Sequence, residues 1–139
     1  MSPPLTKRFG GIPLIVDTGA SVCISPRRED FISYSPSSIF IWDLSSSNKV
    51  AGEGMVRWSV RDVKGDLTTI EVPCYHIPKA EVRLLSPQVL LGLAGGELIQ
   101  TSADVRLCLS NGLVLIANYC PRSRLPLLHL SDGFIRKSF

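Results

Sequence analysis

One carboxylate follows a short apolar run at a spacing that could support acid–base chemistry. The run at residues 14–16 predicts a buried strand, because all three side chains are apolar and two are β-branched. Asp17 follows directly, and Thr18-Gly19-Ala20 then predicts a tight turn in which Gly19 provides backbone conformations closed to other residues. A carboxylate presented in this way can act as a general base toward water. The alternative is a strand that ends in a solvent-exposed Asx turn.

Other chemistry-bearing residues give weaker patterns. The cysteines form no Cys-x-x-Cys pair and no secretory signal precedes them, which favours reduced thiols in an intracellular protein. Cys74 and His76 could be two metal ligands, but two ligands do not make a zinc site. We therefore expect neither a metal nor a cofactor. The four cysteines are Cys23, Cys74, Cys108 and Cys120.

The composition predicts a folded, all-β chain. Hydrophobic residues make up 45% of the 139 residues and charged residues 19%, as in globular proteins. Ten prolines and eleven glycines favour a β-protein with many turns over a helical one. Asn111-Gly112 between two apolar runs predicts a hairpin. Pro87 predicts the start of one short helix, and residues 26–31 predict a helical turn capped by Ser25.

Charge is distributed unevenly along the chain. The net charge is +3, and the excess of basic residues lies in residues 121–139. We therefore expect a lead-in at residues 1–11, one domain at residues 12–120 and a basic C-terminal tail at residues 121–139. A neutral domain lacks the basic stripe of a nucleic-acid binder. No apolar run reaches the roughly 18 residues of a membrane span. Neither nucleic acid nor a membrane is therefore an expected partner.

Four ordered motifs resemble those of retropepsin-like aspartic proteases, and among these the proteases of copia-type retrotransposon polyproteins. The resemblance covers residues 12–92, and residues 93–139 match only loosely. The chain departs from the family at Ser86, where a glycine is usual. The motifs are Asp17-Thr18-Gly19-Ala20-Ser21, Val50-Ala51-Gly52-Glu53-Gly54, Val72-Pro73-Cys74-Tyr75-His76-Ile77-Pro78 and Leu84-Leu85-Ser86.

The resemblance implies a single-lobed retropepsin-like β-barrel or sandwich with a flap hairpin and one short helix. In this chemistry one carboxylate activates water, and a second carboxyl group protonates or polarises the scissile carbonyl. The chain supplies one Asp-Thr-Gly, so the second aspartate must come from another copy. We therefore expect a homodimer with both Asp17 carboxylates at the twofold axis.

The resemblance also implies roles for the neighbouring residues. Thr18 would brace the two turns across the dimer axis, with Gly19 and Ala20 completing each turn. A glycine-tipped flap would close over an extended peptide and exclude bulk water. For the leucines a role in the core is the alternative. The substrate-binding residues would be Ser21, the flap-tip residues Ala51, Gly52, Glu53 and Gly54, and the subsite walls Leu84 and Leu85.

The function predicted from these motifs is an aspartic endopeptidase that cleaves a Gag-Pol-type retrotransposon polyprotein. Such an enzyme would work in the cytoplasm or in a virus-like particle. One alternative is a catalytically idle, domesticated domain that dimerises or binds peptides. Another is the aspartic protease domain of ubiquitin-shuttle-type cellular proteins.

Overall fold

The computed structural model describes residues 12–37, 40–42 and 47–131 of the chain. These residues form mostly β-structure with one α-helix, which confirms the predicted all-β class. No helix in this part of the chain is long and apolar enough to cross a membrane. The strands are β1 Leu14–Val16, β2 Ile24–Ser25, β3 Ser35–Pro36, β4 Phe40–Trp42, β5 Ser47–Lys49, β6 Gly52–Arg61, β7 Leu67–His76, β8 Arg83–Leu85, β9 Gly96–Gln100, β10 Asp104–Leu109, β11 Val114–Tyr119 and β12 Pro126–Leu128; the helix is α1 Pro87–Ala94.

Ten strands form one mixed sheet in the order β3-β6-β7-β2-β8-β1-β12-β11-β10-β9, and β4 pairs with β5 separately. The central strand β1 lies parallel to β8 and antiparallel to β12. All three β1 residues are buried, as the apolar run predicts. Asp17, the residue after β1, therefore lies at the end of a strand that is paired with two segments distant in sequence.

The longest element is the hairpin of β6 and β7, whose ten residues pair along the whole length. Buried and exposed side chains alternate along both strands, and Val56, Trp58 and Val72 enter the core. The Asp62 carboxylate closes the connecting turn by accepting the Lys64 and Asp66 N–H groups. The tip of this hairpin is therefore at residues 62–66.

The prediction that residues 52–54 form a mobile hairpin tip is wrong. Gly52 and Gly54 lie inside β6, opposite His76 and Cys74 of β7. A Cβ atom on Gly52 would overlap the Tyr34 ring, and one on Gly54 would overlap the Ser33 carbonyl oxygen. Close packing, rather than mobility, requires glycine at both positions.

Several other local predictions are confirmed. The Asn111-Gly112 turn joins β10 to β11, and Gly112 has a φ of +93°, which favours glycine. Helix α1 begins at Pro87, and the Ser86 side chain caps it by accepting the Val89 N–H. The predicted turn at residues 26–31 is a 3-10 turn at Arg28–Asp30, but Ser25 does not cap it.

The sheet continues into the region predicted to be a basic tail. β12 lies between β1 and β11, and Leu127 and Leu128 are buried. The sheet therefore extends beyond the predicted domain boundary at residue 120, because β12 pairs with β1 on one side and with β11 on the other. The lead-in at residues 1–11 and the chain end at residues 132–139 lie outside the described residues.

A buried ion pair joins four elements near the centre of the sheet. Asp30 accepts hydrogen bonds from Ser25 Oγ at 2.6 Å, Trp58 Nε1 at 2.9 Å and Arg83 Nε at 2.6 Å. The Asp30 and Arg83 side chains are each only 11% exposed. Burial raises the pKa of Asp30, but the bonds from Arg83, Ser25 and Trp58 outweigh burial and lower it overall.

We expect Asp30→Asn to lower the free energy of unfolding by about 3–5 kcal/mol, because it leaves Arg83 buried without an opposite charge. Glu71→Gln is the matched control. It breaks the Arg57–Glu71 pair, whose side chains are 51% and 41% exposed, and should cost about 1 kcal/mol or less. Urea unfolding measures both, and equal small losses would contradict a stabilising role for the buried pair.

The same pair predicts a pH dependence. A carboxylate whose pKa is lower in the folded state stabilises the fold above its ordinary pKa of about 3.9. That contribution is lost as the pH falls through the lowered pKa of Asp30. The stability difference between wild type and Asp30→Asn should therefore shrink as the pH falls from about 5 toward 2.

The correction at Gly52 gives a further prediction. Gly52→Ala should lower the free energy of unfolding by about 1–3 kcal/mol, because the added Cβ meets the Tyr34 ring. Gly92→Ala is the control, since a Cβ at this helical position meets nothing within 4 Å. That change should stabilise the chain by up to about 1 kcal/mol. Thermal unfolding of both variants checks the opposite signs.

Candidate active site

Main-chain hydrogen bonds hold Asp17 at the end of β1. Its N–H donates to the Leu85 carbonyl oxygen at 3.0 Å, which continues the pairing of β1 with β8. The Gly19 N–H donates to Asp17 Oδ1 at 3.0 Å, and the Ala20 N–H donates to the Asp17 carbonyl oxygen at 3.1 Å. This is the geometry of an Asx turn. The half-buried carboxylate is thus fixed through one oxygen and can offer the other to a ligand.

Ser86 fastens this turn to the start of α1. The residue is fully buried, and its Oγ donates to the Ala20 carbonyl oxygen at 2.7 Å. The same Oγ accepts the Val89 N–H at 3.2 Å as the helix cap. The Ser86 N–H donates to Cys23 Sγ at 3.3 Å. Ser86 therefore links the Asp17 turn to the start of the helix through one hydroxyl group.

The outer side of the turn faces solvent. Thr18, Gly19 and Ser21 are exposed, and the hydroxyls of Thr18 and Ser21 have no hydrogen-bond partner in the described part of the chain. Gly19 does not adopt a positive φ, and a Cβ there would lie 3.6 Å from Asp17 Oδ1. The prediction that Gly19 adopts a backbone conformation closed to other residues is therefore wrong.

A groove with a volume of about 560 Å³ opens beside the turn. It brings together three of the predicted substrate-binding residues: Ser21, Glu53 and Gly54. Asp17 is not among the lining residues. The groove is lined by Ser21, Val22, Cys23, Ser35, Glu53, Gly54, Met55, Pro73, Cys74, Tyr75 and Val89.

The other predicted substrate-binding residues lie elsewhere. Leu85 is fully buried in the main core, and Leu84 packs near the small second cluster around Ile15. Gly52 is buried against Tyr34, and the Ala51 N–H donates to the His76 carbonyl oxygen. Neither leucine lines the groove, so both have the role in the core that was the alternative to a subsite wall.

The groove thiols have the character of apolar side chains. Burial raises the pKa of Cys23 to about 11, although the Ser86 N–H opposes this rise. Burial also raises the pKa of Cys74, and the four cysteines form no disulfide with one another. Because a thiol is a poor nucleophile until it is deprotonated, this environment does not favour Cys23 as a nucleophile.

His76, considered above as a metal ligand beside Cys74, has a different environment. Its Nδ1 lies 2.7 Å from Tyr34 Oη, and its Nε2 lies 3.3 Å from the Pro26 carbonyl oxygen. The ring also packs against Phe31 and Tyr34. Among the described residues, no group of three or more His, Cys, Asp or Glu side chains could hold a metal ion.

The sequence did not predict most of the residues that line the groove, nor the hydrogen bonds by which Ser86 links the Asp17 turn to α1. The Ser86-Pro87 pair carries a signal, since serine before proline is typical of a helix cap followed by the first helical residue. Met55 and Val89 carry no such signal, because their place depends on how β6 and α1 pack.

Comparisons with protein-family models, with curated proteins and with solved structures give no match for this chain.

The contacts of Ser86 give a prediction about stability. Ser86→Ala should lower the free energy of unfolding by about 2–3 kcal/mol, because it removes the helix cap and leaves the Ala20 carbonyl oxygen without its donor. Ser86→Thr keeps a hydroxyl and should recover part of this loss. Chemical denaturation measures the stability of each variant. If alanine and threonine cost the same, the hydroxyl is not the stabilising group.

Proposed function

We propose that this chain is a retropepsin-like aspartic endopeptidase that acts as a symmetric homodimer. The observation that carries the proposal is the geometry of Asp17. A buried strand and two main-chain hydrogen bonds hold the residue at a turn beside a groove, and the Gly19 N–H donates to its half-buried carboxylate. A carboxylate that is positioned by hydrogen bonds and only half buried can act as a general base toward water.

In the proposed reaction, Asp17 from each chain faces the same water molecule. One carboxylate removes a proton from the water, whose oxygen attacks the scissile carbonyl carbon. The protonated partner carboxyl donates its proton to the carbonyl oxygen. The C–N bond then breaks as the amide nitrogen takes the proton that the first carboxylate had removed from water, and a hydroxyl group of the tetrahedral intermediate gives its proton to the partner carboxylate as the C=O bond re-forms. The pair is thereby returned to one shared proton.

The exposed outer side of the turn supports a dimer. In the described part of the chain, the Thr18 hydroxyl has no hydrogen-bond partner and no contact requires glycine at Gly19. A second chain that approached closely along this surface would explain both features, since glycine permits close main-chain contact. The interface would then be isologous, with Thr18 of each chain facing the other.

The predicted flap residues do not form a mobile cover. Gly52 and Gly54 are paired within the sheet, opposite His76 and Cys74. The Ser37 N–H donates to the Ala51 carbonyl oxygen, and the Ala51 N–H donates to the His76 carbonyl oxygen. We therefore assign Glu53 and Gly54 to the wall of the groove and not to a flap.

The substrate class and location follow from the sequence motifs. A Gag-Pol-type polyprotein of a retrotransposon, processed inside the cell or in a virus-like particle, remains the proposed substrate. One observation favours a second candidate, a peptide-binding domain without catalysis: Asp17 does not line the groove of the single chain. Cleavage that depends on the dimer distinguishes the two, because only the enzyme needs two Asp17 carboxylates in one site.

Activity should depend on dimer concentration. Specific activity toward a polyprotein fragment should rise with protein concentration and reach a plateau once dimers dominate. Asp17→Asn should abolish cleavage with little loss of stability, and mixing it with wild type should depress activity. Asp62→Asn, in the distant β6–β7 turn, is the control and should leave cleavage unchanged.

Sedimentation over the same dilution series gives the oligomeric state. A fully active monomer would contradict the symmetric mechanism. Cleavage by Asp17→Asn near the wild-type rate would contradict the assignment of Asp17. A stable dimer that binds the fragment but never cleaves it would favour the peptide-binding domain.

A further inference from the structure

We propose that Cys23 and Cys74 form a redox-active dithiol site, in which hydrogen peroxide converts the two thiols into a disulfide and thereby loosens the hydrogen bond between Cys23 and Ser86. The inference goes beyond the proposed function, because the disulfide forms whether or not the chain cleaves peptides. It depends on the register of β2 and β7, on the burial of both thiols and on the order of the strands.

The register of two parallel strands places the two cysteines side by side. β2 pairs with β7 in parallel, with Ile24 opposite Tyr75. Cys23 and Cys74 each stand one residue before these partners, and the Tyr75 N–H donates to the Cys23 carbonyl oxygen at 3.0 Å. Neighbouring strands lie about 4.8 Å apart, and a disulfide joins Cα atoms that are roughly 4.4–6.8 Å apart. The backbone therefore has the spacing that a disulfide needs.

The two side chains also lie on the same face of the sheet. Residues directly opposite each other on neighbouring strands share a face. Cys23 and Cys74 are both buried, belong to the same core cluster and line the same groove. Cys23 precedes the first residue of the two-residue strand β2 and so lies at the end of the ladder, where a small adjustment disturbs few backbone hydrogen bonds.

The other two cysteines lie elsewhere in the fold. Cys108 is on β10, opposite Val114 of β11 and Glu97 of β9. Cys120 belongs to the second core cluster, around Ile15. Oxidation at either residue does not need the register of β2 and β7, so both serve as internal controls.

The oxidation has two steps. The Cys23 thiolate attacks one oxygen of hydrogen peroxide, the O–O bond breaks, and the leaving hydroxide takes up the proton that the thiol released, which gives water. The Cys74 sulfur then attacks the resulting sulfenic acid, the S–O bond breaks, and the leaving hydroxide takes the Cys74 proton to give a second water. Each sulfur loses one electron, and the two peroxide oxygens gain them.

Burial decides which thiol reacts first and how fast. Burial raises the pKa of Cys23 to about 11, although the Ser86 N–H opposes this rise. Burial raises the pKa of Cys74 more strongly, and the neighbouring Cys23 and Asp30 add to that rise. Cys23 is therefore the first to ionise, and the pair oxidises slowly at neutral pH. Its rate should rise about tenfold per pH unit between about pH 7 and 9, whereas an ordinary thiol levels off near its pKa of about 8.5.

The order of the strands connects the disulfide to the Asp17 turn. The Ser86 N–H donates to Cys23 Sγ at 3.3 Å in the reduced chain. Because β2 lies between β7 and β8, Cys74 and Ser86 are on opposite sides of Cys23. The two sulfurs of a disulfide are only about 2.05 Å apart, so Cys23 Sγ must move toward Cys74 and away from Ser86. Oxidation therefore weakens the bond beside the hydroxyl that links the Asp17 turn to α1.

Peptide mapping tests the disulfide. Wild-type protein is treated with hydrogen peroxide at about pH 8, blocked with N-ethylmaleimide and digested with trypsin without reduction. We expect one linked pair of peptides, residues 9–27 and residues 65–79, which contain Cys23 and Cys74. Dithiothreitol should separate them. The same treatment in urea should give a mixture of pairings, because the register is lost with the fold.

Cys74→Ala removes the second thiol, and Cys108→Ala is the matched control. With Cys74→Ala, the reaction should stop at the sulfenic acid of Cys23, which dimedone traps on residues 9–27. With Cys108→Ala, the linked pair should form at the wild-type rate. Cys23→Ala should also abolish the linked pair, and it replaces Cys74→Ala if thermal unfolding shows that the latter is not folded.

Amide hydrogen exchange tests the connection to the turn. After oxidation, the Ser86 amide should exchange about threefold or more faster, as expected when one hydrogen bond weakens. The Leu107 amide in the distant strand β10 is the control and should not change. Unchanged exchange at Ser86 in the linked protein would overturn the connection.

The dithiol site is overturned if folded wild type gives no linked pair, if the pair forms equally in urea, or if Cys74→Ala gives no trapped sulfenic acid. Asp17→Asn separates this inference from the proposed function, since it should form the linked pair at the wild-type rate. A chain that forms the disulfide but never cleaves a polyprotein fragment would keep the dithiol site and reject the proposed catalysis. Cleavage without the linked pair would do the reverse.

Discussion

The fold depends on one buried carboxylate. Asp30 receives donors from β2, β6 and β8 at one point, and Arg83 also donates to the Ile12 carbonyl oxygen just before β1. Because an ion pair in this setting is stabilising only when both partners and their hydrogen bonds are present, the elements that meet there are constrained together. β8 is one of them, and β8 is the strand beside β1. The position of Asp17 therefore rests on a charge pair that takes no part in the proposed chemistry.

The same dependence continues through Ser86. Strand β8 begins at Arg83, which pairs with Asp30. Ser86 directly follows the last residue of β8 and donates a hydrogen bond to the Asp17 turn. The ion pair and the turn are therefore connected through this strand. Ser86 then caps α1, and Val89 of this helix contributes to the groove. The turn, the helix and the groove thus form one connected unit. A substitution at either end of β8 should shift the residues of the Asp17 turn and the groove, since packed interiors transmit displacement.

Glycine meets two different requirements among the described residues, and only the structure separates them. Gly112 takes a positive φ in a hairpin turn, which the Asn-Gly sequence predicts. Gly52 and Gly54 are required by close packing against residues 33 and 34, although their spacing resembles a flap tip. Gly19 meets neither requirement in the described part of the chain.

The sequence by itself determined the local features: the strand before Asp17, the helix start at Pro87, the hairpin at Asn111-Gly112 and the all-β class. Each of these depends on residues that are neighbours in the chain, such as a cap, a proline or an Asn-Gly pair. Tertiary structure alone decided the Asp30–Arg83 pair, whose partners are 53 residues apart, and the place of β12 beside β1. It also moved the hairpin tip from residues 52–54 to residues 62–66 and made Leu85 a core residue. Strand pairing and burial depend on which distant segments meet, and a pattern of period two is the same whichever partner the strand finds.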